Sequence, residues 1–179
     1  MTRARTLFTV FLLSAATPAL AHPGHDDGGF AAGLLHPLTG LDHLAAMVMI
    51  GLWGGIAFGR RWWAGPATFL GAMAAGFGLG VTGAELPFAE PLILASLVLL
   101  AVALVLNLRP PLWLALPFIA LFGAAHGFAH GSELPPGSAV ESFAAGFLLA
   151  TALLHGAGLL LARLAARSGR PVQPATTAT

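Results

Sequence analysis

Six side chains in this 179-residue sequence have the types and spacing to bind a metal ion: His36, Asp42, His43, His126, His130 and Glu133. The first three lie in the run His36-Pro37-Leu38-Thr39-Gly40-Leu41-Asp42-His43. His43 follows His36 by seven positions, nearly two turns of a continuous helix, so both imidazoles would share a face about 10 Å apart along the axis. Met47, four positions beyond His43, continues that face, and Asp42 stands about 100° round from His43. A carboxylate inside an apolar helix costs on the order of 2.5–3.5 kcal/mol on insertion scales, so Asp42 needs a partner or a purpose. It could pair with a histidine to hold helices together, or it could bind a cation. Its place beside His43 and near His36 favours the cation. The second group, Ala125-His126-Gly127-Phe128-Ala129-His130-Gly131-Ser132-Glu133, sets two histidines four apart on one helix face. That spacing can chelate a divalent ion, and Glu133 extends the cluster outward.

Two other histidine groups carry weaker signals. His155 stands alone beside Gly156 and Gly158, and reads equally as a packing residue or as an inner relay site. The stretch His22-Pro23-Gly24-His25-Asp26-Asp27 reads equally as loose metal capture or as a solvated leader. Cysteine is absent, which excludes disulfides, thiolate sites and cysteine nucleophiles together. Imidazole and carboxylate donors suit nickel, cobalt, zinc, copper or iron. The intrinsic affinity order places copper above nickel, so selectivity must come from geometry.

The elements that position these groups follow from composition. Hydrophobic residues make up 57% of the chain and charged residues 8%, with a mean hydropathy of +0.84. Soluble domains carry roughly a quarter charged residues, so the natural solvent of this chain is a bilayer. Residues 1–21 have a basic start at Arg3 and Arg5, an apolar run, and the ending Ala19-Leu20-Ala21, which reads as a signal peptide cleaved after Ala21. The run is short for the ~20 residues that a span requires. A polar leader follows (22–32), then a transmembrane helical region (33–167) and a disordered tail (168–179). Helices are expected at 33–58, 64–83, 89–107, 112–131 and 139–164, giving an all-α polytopic membrane bundle of about five spans. Pro37 suits a first helical turn, and Gly40 loosens the helix beside Asp42.

Charge orients the bundle. With the mature amino terminus outside, Arg60, Arg61, Arg109, Arg163, Arg167 and Arg170 fall on the cytoplasmic side, while Asp26, Asp27, Glu85, Glu90, Glu133 and Glu141 fall outside. The arginines are scattered, which speaks against nucleic-acid binding. Gly51-x-x-x-Gly55-x-x-x-Gly59 and Gly76-x-x-x-Gly80 allow close helix approach. Trp53, Trp62, Trp63 and Trp113 are placed as interfacial anchors.

The run from His36 to Met47, followed by Gly51-Leu52-Trp53, closely resembles the signature of the HupE/UreJ family of hydrogenase and urease accessory proteins. The resemblance extends over nearly the whole chain. It implies a permease of the bacterial inner membrane that carries nickel, or cobalt in some members, as the transported ion and holds no permanent cofactor. On that likeness His36, Asp42 and His43 are the principal metal residues, joined by His126, His130 and Glu133. Nickel-enzyme maturation proteins are the implied partners. Five residues separate His36 from Asp42, one more than in the otherwise similar signature of the larger nickel/cobalt transporter family. Other classes fit the residues less well than a permease. Against an intramembrane metallohydrolase, the sequence lacks an HExxH helix. Against a haem cytochrome, no helix carries a histidine pair at the wide spacing that stacked haems would need. A metal sensor or accessory subunit that does not transport is the main alternative. No nucleotide-binding motif is present, and five helices are few for a complete pathway, which points to a homo-oligomer.

Overall fold

The computed structural model describes residues 29–134 and 137–168, so the expected signal peptide, His22, His25 and residues 169–179 lie outside it. Among the described residues the fold is wholly helical, as expected. The helices are α1 (Phe30–Thr39), α2 (Leu41–Ala57), α3 (Ala64–Gly80), α4 (Ala89–Val105), α5 (Leu112–Ser132) and α6 (Val140–Ser168), with a short 3-10 turn at Gly59–Arg61 after α2. The last four match the last four predicted helices, with ends displaced by a few residues.

The first predicted helix, 33–58, needs correction. It begins at Phe30 and is broken at Gly40 into α1 and α2, which meet at 88°. Pro37 falls in the last turn of α1 and not in a first turn. Without an N–H it cannot bond the carbonyl one turn back, and three residues later Gly40 takes an extended conformation (φ −103°, ψ 117°). The Thr39 hydroxyl donates to the His36 carbonyl at 2.7 Å, satisfying an acceptor that the break exposes. The break removes the straight two-turn geometry predicted for His36 and His43.

Two helix pairs build the interior. α3 lies along α5, and the bent α1–α2 pair lies along α6. The glycines explain the closeness. A side chain at Gly76 or Gly80 would collide with the α5 backbone at Ala124 or Phe128, and one at Gly123, Gly127 or Gly131 with the α3 backbone at Phe69, Met73 or Phe77. Gly51 is pressed against the His155 carbonyl and Gly158 against the Val48 carbonyl, which locks α2 to α6 in the same way. Phe69, Met73 and Phe77 meet Gly123, Gly127 and Gly131 in the same order, and Gly51 and Gly55 meet His155 and Ala162, so α3 is parallel to α5 and α2 to α6. Phe69, Met73, Met47, Ile50 and Phe147 fill the space between the pairs and are fully buried.

By length and apolar content α5 and α6 can each cross a membrane, and the bent α1–α2 pair makes a third candidate span. α3 and α4 have 17 residues each, about 26 Å of helix at 1.5 Å per residue, against a hydrocarbon core of about 30 Å. A count of five spans is therefore not reached on length alone. The connections use specific devices. α4 ends in a left-handed Asn107 (φ 52°), with the Leu108 N–H donating to the Ala103 carbonyl. The Trp53 indole donates to the Leu108 carbonyl at 3.0 Å. Trp53 is thus a buried tie between α2 and the α4–α5 connection, unlike the exposed Trp62, Trp63 and Trp113. Arg163 lies 5.3 Å from the Trp62 ring centre, bringing the arginine-bearing end of α6 to the Arg60–Arg61 turn.

Candidate metal centre

Each of the six predicted ligands falls at or beside one locus. His36 comes from the last turn of α1, Asp42 and His43 from the first turn of α2, and His126 and His130 from the last two turns of α5. The bend at Gly40 lets His36 and His43 approach His130 from two helices. The His36 and His130 ring centres are 4.6 Å apart, those of His43 and His130 4.4 Å, and those of His43 and His126 5.4 Å. Glu133, at the C-cap of α5, offers a carboxylate oxygen within 4.8 Å of nitrogens of His36 and His130. His130 is the common member.

The hydrogen bonds orient the imidazoles. His126 Nδ1 lies 2.8 Å from the Phe122 carbonyl, and His43 Nδ1 lies 3.0 Å from Asp42 Oδ1. A carbonyl and a carboxylate only accept, so both Nδ1 atoms carry a proton, and in the neutral ring each Nε2 keeps a lone pair. Those Nε2 atoms are buried without a hydrogen-bond partner among the described residues, as is His130 Nε2. Asp42 thus serves His43 as a carboxylate commonly serves a metal-binding histidine, fixing its tautomer and orientation. His36 Nε2 and His130 Nδ1 lie 2.8 Å apart and share one proton. A side chain at Gly40 would stand 2.9 Å from Asp42 Oδ1 and 3.1 Å from His43 Nδ1, so glycine there leaves room for the carboxylate–imidazole pair.

The surroundings are apolar above and acidic at the mouth. Phe147 packs edge-on against His130 at 4.7 Å and Phe143 against His36 at 5.5 Å, while the Phe69 ring lies tilted against His126 at 5.3 Å. Burial pushes the Glu133 carboxyl above its ordinary range, and the charge of Glu90 adds to the rise. The first turn of α4 therefore brings a second acid toward the mouth, a role that the sequence signalled only as a charge on the outer side. Phe69 carried no sequence signal, because a phenylalanine in an apolar helix looks like any other core residue. An apolar groove of about 560 Å³, lined by Ile50, Trp53, Leu100, Phe118 and Phe122 among others, holds no metal ligand.

Comparison with known proteins agrees with the motif. The family model described as HupE / UreJ protein matches residues 10–179. A protein named HupE from Rhizobium leguminosarum bv. viciae is 37% identical over 158 residues, spanning 87% of this chain and 83% of its own length. No solved structure gives a significant match. With a family model running from the tenth residue to the last, and a relative this similar over most of both chains, this chain belongs to the HupE/UreJ family.

Proposed function

We propose that this protein is a permease of the bacterial inner membrane for a divalent transition-metal ion, nickel foremost and cobalt next, which supplies nickel enzymes such as hydrogenase or urease. One observation carries the reading: four imidazoles from three helices converge inside an apolar bundle, and three keep buried Nε2 atoms without partners. Leaving such atoms unpaired costs about 1–3 kcal/mol each. A fold that only needed helix contacts would be more stable with apolar side chains there. The donor set is all nitrogen and oxygen, which suits nickel and cobalt.

The ion enters from the periplasm at Glu133 and exchanges water for His36 and His130. The proton those two histidines share is what the cation displaces. His43, held by Asp42, and His126, held by Phe122, come next. Contacts of this kind are strong enough to strip water yet divided among helices, so the ion can leave again. Radioactive nickel uptake into cells tests the reading, with His36→Ala and His130→Ala variants at matched membrane levels. Uptake should fall to background in both, with cobalt the best competitor. Purified protein that binds nickel but moves none into proteoliposomes would make it a binding accessory or sensor instead.

A further inference from the structure

The chain of ring contacts does not end at the candidate metal centre. From His126 it passes to Phe69 (5.3 Å between centres) and from Phe69 to His155 (5.5 Å, edge-on), and Phe69 is fully buried. His155 lies 15 residues into α6, about 22 Å from the start of that helix. His126 lies six residues before the end of α5, about 9 Å in. His155 is only 4% exposed, and its Nε2 has no hydrogen-bond partner among the described residues. It belongs to a buried stripe on α6 that includes Phe143, Phe147, Thr151 and His155 at four-residue intervals. One turn before it, the Thr151 hydroxyl donates to the Phe147 carbonyl at 3.0 Å and lies 4.0 Å from the Met73 sulfur. Imidazole, hydroxyl and thioether thus gather deep between α3 and α6, where packing alone would call for hydrocarbon.

Resting on the permease reading, we infer that His155 is a second, inner station for the metal ion, separated from the four-histidine centre by the Phe69 ring, which must swing aside for the ion to pass. A single strong nitrogen donor with weak neighbours makes a transient site, and transient is what an exit station requires. The aromatic face of Phe69 also attracts a cation while the ring blocks water.

The chain contains no cysteine, so one introduced at position 155 is its only thiol. Purified full-length His155→Cys protein is titrated with Co²⁺, and absorption is followed in the visible for nitrogen and oxygen ligation and in the near ultraviolet for thiolate-to-cobalt charge transfer. Ser96→Cys, a fully buried position on α4, is the control. The thiolate band should appear in His155→Cys and not in Ser96→Cys, and it should form several-fold faster when Phe69→Ala is added. Visible cobalt bands without a thiolate band would overturn the inner station and leave the outer centre standing. A band of equal strength in Ser96→Cys would overturn it too, and no cobalt absorption in any variant would overturn both readings. If His155→Cys does not fold, nickel flux through His155→Asn decides. Lost flux with unchanged nickel binding supports the station, and unchanged flux overturns it.

Discussion

At the scale of single residues, the carboxylate and the four imidazoles hold different offices. Asp42 has the sequence position of a ligand, and its Oδ1 lies 3.0 Å from His43 Nδ1, where it fixes which ring nitrogen carries the proton. Asp42→Asn keeps the size of the side chain and removes the charge that holds the His43 proton. We predict that it weakens nickel affinity about 10- to 100-fold, as loss of such a supporting partner commonly does, with helical content unchanged. Isothermal titration with nickel beside circular dichroism checks this, and unaltered affinity would return Asp42 to a purely structural place.

At the scale of elements, a break and a zipper do the positioning. Gly40 allows the 88° bend and the room beside Asp42 and His43. Gly40→Ala should push that pair apart and lower nickel binding and uptake while the purified protein keeps its thermal midpoint within a few degrees. Gly127 faces the Met73 carbonyl with no space for a methyl group, whereas a methyl group at Gly71 meets nothing within 4 Å. Gly127→Ala should therefore destabilise by at least about 1–3 kcal/mol. Gly71→Ala should be neutral or stabilising by up to about 1 kcal/mol. Thermal unfolding of the two variants in the same detergent measures the contrast, and equal midpoints would deny the close α3–α5 contact.

At the scale of the whole molecule, the question is which end faces out. Glu85 of the α3–α4 connection and Glu133 of the α5–α6 connection share one end in this topology, and the arginines of the α2–α3 and α4–α5 connections share the other. We predict that a cysteine at Glu85 reacts with a membrane-impermeant maleimide in intact spheroplasts, and one at Asn107 only after the membrane is opened. The reverse pattern would turn the bundle over and place the metal mouth in the cytoplasm.

Much of this could be read along the chain because it depends on neighbours a few positions apart. Apolar runs broken by proline, glycine and charge mark the helices, since a bilayer admits little else. The four-residue spacing places His126 and His130 on one face of α5 whatever surrounds that helix. The membrane class, the all-helical fold and the six ligand candidates follow from such local rules. Tertiary structure decided the remainder. Gly40 tolerates both a helical and an extended conformation, and only packing of α1 and α2 against α6 selects the bend that carries His36 and His43 to His130. The approach of Glu90 to Glu133, and the placing of Phe69 against both His126 and His155, join residues from different helices. Such contacts have no period along the chain, because they depend on how glycine surfaces fit together in space.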